Sequence, residues 1–273
     1  MNKRKIILLA TALCLVAILA VGGTLAYFTD TDQEINVFTV GNVQIELIEK
    51  ERDGNGGLQD FSDDKKLLPI VGSAQGEKDE FGLPTAKNYV DKIVTVKVEK
   101  GSEDAYVRVL MAFPVAMDAA TEANMPLHWN AGNKYVAEGG KDDGNALNTD
   151  YDNWTVTGPI HKDVEIKGYP GKYNIYSFTY EKPMVANEET GSACVVGFYM
   201  DARVDYDEEK GYFLKIGETI YDLDDAIDEN GKVYVPVFAQ GVQAKGFDNA
   251  TQAFTDAQLP TNPWAEDGWE NAN

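Results

Sequence analysis

Cys194-Val195-Val196-Gly197-Phe198-Tyr199-Met200-Asp201-Ala202-Arg203-Val204-Asp205 is the stretch that decides the fold. Cys194, Val196, Phe198, Met200, Ala202 and Val204 form an apolar stripe at every second position, facing away from Asp201, Arg203 and Asp205. Successive side chains of a strand point to opposite faces, so this period predicts β-structure with one dry face and one wet one. The same period recurs outward along the chain. Val43, Ile45 and Leu47 alternate with Asn42, Gln44 and Glu46; Val94, Val96 and Val98 alternate with Thr95, Lys97 and Glu99. Tyr106 to Phe113 is apolar at nearly every position apart from Arg108, and Lys172 to Tyr180 sets Tyr176, Phe178 and Tyr180 against Ser177 and Thr179. Val233, Val235 and Val237 read as one more strand, entered through Asn230-Gly231, a pair that accepts the positive φ of a tight hairpin turn. Many such runs parted by polar loops predict an all-β fold, a jelly-roll-like β-sandwich with a few short helices and long acidic loops.

Helix signals are sparse. Asp248 or Asn249 caps a short helix through Ala250, Ala253, Phe254 and Ala257, which Pro260 and Pro263 stop. Met117 to Asn124 reads as another, and Glu218 to Ile227 fits helix or strand equally. The loops over 51–57, 60–64 and 139–152 are acidic or glycine-rich, and the chain after Pro263 reads as a loose tail over 264–273. At roughly 150 residues per domain, 273 residues allow one large domain or two small ones. With no linker or fixed-period repeat in view, a single sandwich over 27–263 is expected.

The chain opens Met1-Asn2-Lys3-Arg4-Lys5, continues apolar from Ile6 to Val21, and closes on Gly22-Gly23-Thr24-Leu25-Ala26. A basic start, an apolar middle and a small-residue end make residues 1–26 a signal-peptide helix, cut between Ala26 and Tyr27. Ile6 to Ala26 is also long enough to span a bilayer as a retained anchor. Cleavage is favoured because the small residues lead straight into a polar segment, so membrane contact is expected only through the uncleaved signal. Leu13 before Cys14 does not fit lipid attachment.

Charge narrows the function. The 45 acidic and 24 basic residues give a net −21, a field that excludes nucleic-acid binding by phosphate neutralisation. Two cysteines exclude a disulfide framework and a cysteine-rich zinc module. His128 and His161 stand 33 positions apart, whereas the short helical zinc-peptidase motif needs histidines four apart with a glutamate between. Cys194 lies on an apolar stripe, which predicts burial rather than nucleophilic reactivity. There is no Gly-x-Ser-x-Gly elbow and no phosphate-cradling glycine loop, so no catalytic residue is assigned. No cofactor is expected. Calcium is the one metal that Asp201, Asp205, Asp207 and Glu208, or Asp222, Asp224, Asp225 and Asp228, would suit, although neither set follows the twelve-residue calcium loop. Trp129, Trp154, Trp264 and Trp269 suit stacking on sugars or, more simply, packing in core and tail.

The segment Gly22-Gly23-Thr24-Leu25-Ala26-Tyr27-Phe28-Thr29-Asp30-Thr31-Asp32, followed by Asn36-Val37-Phe38-Thr39-Val40-Gly41-Asn42-Val43, resembles the N-terminus of the TasA/camelysin family. Gly101 to Val109 and Pro236 to Phe247 are similar to stretches of its larger members. The resemblance implies a secreted jelly-roll-like protein of Gram-positive bacteria, released by a SipW-type signal peptidase to the cell surface or the extracellular biofilm matrix. It implies self-association or contact with other matrix proteins, one subunit's N-terminal strand completing the sheet of the next. The donor would be Tyr27 to about Leu47, with Val37, Phe38, Val40, Val43, Ile45 and Leu47 as assembly-strand residues. Until such a strand pairs, its backbone groups are unsatisfied. Camelysin-type relatives are classed as metallopeptidases, an activity for which this sequence carries no ligand motif. The expectation is a non-enzymatic structural protein, with a metallopeptidase or a surface adhesin or carbohydrate-binding module as the alternatives.

Overall fold

The structure, a computed structural model, describes residues 36–40, 42–62, 65–79, 81–118, 125–130, 153–207, 211–227 and 232–265. The signal peptide over 1–26, the Ala26–Tyr27 cut, the loop over 139–152, the Asn230-Gly231 turn, Glu208, Asp228 and Trp269 lie outside the described residues.

The strands in chain order are β1 (Asn36–Val40), β2 (Ile45–Arg52), β3 (Leu58–Asp60), β4 (Val90–Val98), β5 (Ala105–Pro114), β6 (Leu127–Asn130), β7 (Trp154–Glu165), β8 (Lys172–Tyr180), β9 (Val195–Met200), β10 (Val204–Asp207), β11 (Gly211–Ile216), β12 (Thr219–Asp222) and β13 (Val237–Gln243). One five-stranded sheet runs β1-β13-β5-β8-β7 and a second runs β3-β2-β4-β9-β6. A three-stranded ribbon, β10-β11-β12, completes the described strands. The protein is an all-β sandwich.

The core lies between the two five-stranded sheets. Val107, Val109, Met111 and Phe113 of β5, with Phe178 and Ala239, meet Leu47, Val94, Val96, Val98, Phe198 and Met200. Each such side chain contributes about 1.5–3 kcal/mol by leaving water. All ten residues of β5 are buried, which explains why its sequence does not alternate. Its other face is covered too. Tyr106 packs under Ala253 and Phe254 of helix α1 (Ala250–Asp256), while Leu110, Ala112, Tyr173 and Phe238 pack under Ile166 and Trp264. Asn249 caps α1, its side chain accepting from the Gln252 N–H at 2.9 Å. On the far side of the second sheet, Leu58, Phe81 and Leu83 cover Ile93 and Val196. Arg52 pins that layer by reaching Asp79 and Asp91, each at 2.6 Å. Burial opposes the Arg52 charge, but Asp91 and Asp79 outweigh it and raise its pKa.

Four local readings change. The stripe from Cys194 to Val204 is not one strand: β9 ends at Met200 and β10 starts at Val204. The Asp201 carboxylate accepts from the Arg203 N–H at 2.8 Å, an Asx-type turn that bends the chain and leaves Ala202 exposed. Val196 also leaves the stripe, packing with Leu83 and Ile93, and the β4–β9 register shifts between Asp91 and Val94. Val233 and Val235 precede β13 rather than belong to it, and Val233 makes only a bridge to Ile227. Pro236 has no N–H for a ladder, though its carbonyl accepts from Ala112 at 3.0 Å. Glu218 to Ile227 divides into β12 and a 3-10 turn over Asp224–Ala226. Of Met117 to Asn124, Met117 ends a 3-10 turn begun at Val115, and 119–124 lie outside the described residues.

Candidate assembly edge

A strand at the rim of a sheet offers backbone donors and acceptors to any chain that can pair with them. The first sheet has β1 at one rim and β7 at the other. β1 carries no charge and no proline in its five residues, Asn-Val-Phe-Thr-Val. It pairs with β13 in register from Asn36↔Phe238 to Val40↔Val242, the one parallel ladder among the described strands. Parallel pairing is slightly weaker per residue than antiparallel.

β13 is the opposite of a rim strand. Phe238 to Val242 are all buried, and β5 pairs with the other side of β13 over its whole length. Gln240 anchors it from the covered face: its Oε1 accepts from Arg108 Nε at 2.5 Å and its Nε2 donates to the Pro260 carbonyl at 2.9 Å. Arg108 also reaches the Leu259 carbonyl at 3.4 Å and lies over the Phe254 ring, 4.5 Å from its centre. Burial lowers the Arg108 pKa to about 10, so the group stays charged at neutral pH with neutral partners. None of these ties involves β1. If the place of β1 is vacated, β13 presents a formed but unpaired backbone edge.

The chain leaves β1 and crosses between sheets at once. Val43 is buried, and Ile45 and Leu47 belong to β2, paired with Val98 and Val96 of β4. Of the six expected assembly-strand residues, Val37, Phe38 and Val40 are therefore in β1, in register with Ala239, Gln240 and Val242, while Ile45 and Leu47 lie in the second sheet. Gly241 makes the crossing fit. A Cβ there would stand 3.0 Å from Val43 Cγ1 and 3.2 Å from Ile45 Cγ2. The sequence showed Arg108 only as a break in an apolar run and assigned no role to Arg108, Gln240 or Gly241. The available signal was a lone polar residue in each of two apolar runs.

The other rims differ. β7 is twelve residues long, but its register on β8 shifts on both sides of His161, and it carries Pro159, Lys162, Asp163 and Glu165. In the second sheet the rims are short, three residues in β3 and four in β6.

The remaining candidates are engaged elsewhere. His128 on β6 lies 3.3 Å from Asp201 Oδ2 and stacks on Tyr199, while His161 on β7 reaches Thr261 Oγ1 at 2.8 Å. Burial of Asp201 opposes its charge, but bonds from Arg203 and His128 prevail and hold the carboxyl at about 2. Asp224 accepts from the Tyr212 N–H and Asp222 from the Asp224 N–H. Among the described residues no three of His, Cys, Asp or Glu gather into a metal-binding set. Cys194 is fully buried, and burial raises its thiol pKa. Trp154 donates to the Ser192 carbonyl, and Trp129 packs against Phe113 and Phe178. No protein-family model, curated protein or solved structure matches the chain.

Proposed function

We propose that the chain is a non-enzymatic structural subunit, exported through its N-terminal signal and assembled outside the cell by strand addition at the β1–β13 edge. One observation carries this reading: an uncharged five-residue rim strand, held by a parallel ladder, lies on a β13 that is buried and independently anchored. A second copy's N-terminal strand would satisfy the same backbone groups that β1 satisfies within the subunit. The resemblance of the segment around Gly22 to Val43 to the TasA/camelysin family supports the same reading, and with it SipW-type processing and a place at the cell surface or in a biofilm matrix. The test is to delete Tyr27 to Phe38 from the processed protein and follow filament growth by negative-stain microscopy. Loss of filaments is the expected result; growth at the full rate would overturn the proposal.

A further inference from the structure

At the end of the first sheet where β7 turns into β8, a half-open cleft of about 950 Å³ is walled by Glu165, Lys167, Tyr169, Lys172, Asp225 and Trp264. We propose that this cleft binds a neutral saccharide chain. Its size falls at the upper end of the range for small-molecule sites. Its walls come from four segments far apart in sequence: the end of β5 with the 3-10 turn that begins at Val115, the β7–β8 turn, the 3-10 turn over Asp224–Ala226, and the C-terminal stretch at Trp264.

The walls are pre-formed. Gly171 lets the β7–β8 turn press against the 3-10 turn, where a Cβ would stand only 2.3 Å from the Asp225 carbonyl oxygen. Leu223 and Ala226 anchor that turn as fully buried residues. Trp264 is fixed edge-on to Phe238, ring centres 6.3 Å apart, and Tyr169 edge-on to Tyr173 and Tyr234.

The chemistry of the lining selects the ligand. Glu165 and Asp225 supply acceptors, and Lys167 and Lys172 supply donors. The four side chains are exposed and make no hydrogen bond or ion pair among the described residues. Their charges cancel, so the cleft attracts neither a cation nor an anion, and the net −21 of the chain further opposes an anionic polymer. Sugar hydroxyls donate and accept at once and suit such a mixed lining. Tyrosine and tryptophan add faces that are apolar in body and polar at one tip, which suits the alternating surface of a sugar ring. No residue of β1 lines the cleft, so its ligand chemistry is distinct from strand exchange.

The test is calorimetric titration of the processed protein with cellopentaose, chitopentaose and maltopentaose, with inorganic phosphate as the anionic probe. The expected result is saturable binding of at least one saccharide at about 1 mM or tighter and none of phosphate. Trp264→Ala should weaken it roughly tenfold. Because Trp264 also packs on Phe238, the exposed pair Glu165→Ala and Lys172→Ala provides a second variant that spares the core and should weaken binding as well. Absence of saccharide binding, phosphate binding in its place, or affinity untouched by both variants would overturn the proposal.

Discussion

The two rims of the first sheet answer the same hazard in opposite ways. β7 is long, yet it is broken by two shifts of register and carries Pro159, Lys162, Asp163 and Glu165. Those are the devices by which sheets discourage a further strand. β1 is short, has no charge, and rests on its neighbour by a parallel ladder. A protein that only needed to stay monomeric would gain from guarding both rims. The contrast between the two rims is what the proposed strand exchange at β1 rests on.

The largest way to break this comparison is to remove β1 alone. Deleting Asn36 to Val40 should destabilise the isolated subunit in urea by about 3–5 kcal/mol, at about 1 kcal/mol per ladder bond, and abolish growth. A variant that melts normally and still polymerises would place assembly elsewhere. Next in size is Gly241→Ala. Its new methyl presses on Val43 and Ile45, and overpacking of this kind costs about 1–3 kcal/mol. Val43→Ala in the same chain should recover part of the loss in thermal unfolding, whereas additive losses would show that the crossing does not bear on β13.

A reciprocal pair sharpens the contrast further. Phe38→Lys puts a charge on the unguarded rim and should slow filament growth roughly tenfold, the kinetic equivalent of about 1.4 kcal/mol. Lys162→Thr with Glu165→Thr removes charge from the guarded rim and should give slow, concentration-dependent light scattering in a chain lacking Tyr27 to Phe38, which with its guarded rim intact should give none. Equal responses at both rims would erase the distinction. The smallest effect concerns the second sheet. Asp201 is held at about 2, below the ordinary carboxylate value near 3.9, so the stability it confers is complete above that value and lost as pH falls through about 2. After allowance for solvent near the exposed Arg203, the loss is about 1 kcal/mol in acid urea melts, and Asp201→Asn should remove that pH dependence.

Much of this architecture is legible in the sequence because it is local. The range Lys172 to Tyr180 is β8 to the residue, and Asn249 caps its helix as its side chain dictates. What the pattern could not convey is where a stripe is interrupted or which sheet receives it. The apolar period runs through Asp201, but a carboxylate bonded to the Arg203 N–H turns the chain there. Val43, Ile45 and Leu47 continue the rhythm of β1, yet packing sends β2 to the second sheet. The parallel sense of β1 against β13 joins residues some 200 positions apart, and no local window contains it. The cleft beside Trp264 was invisible for the same reason.

Residues 41–44 are all that separate β1 from β2. Fully extended, four residues reach at most about 14 Å. A β1 lent to a neighbour therefore stays on a leash scarcely longer than the gap between two stacked sheets. Successive subunits would have to sit shoulder to shoulder, with the lender's second sheet almost touching the borrower's first. A polymer made this way is a dense rod of short axial repeat, not beads on a string.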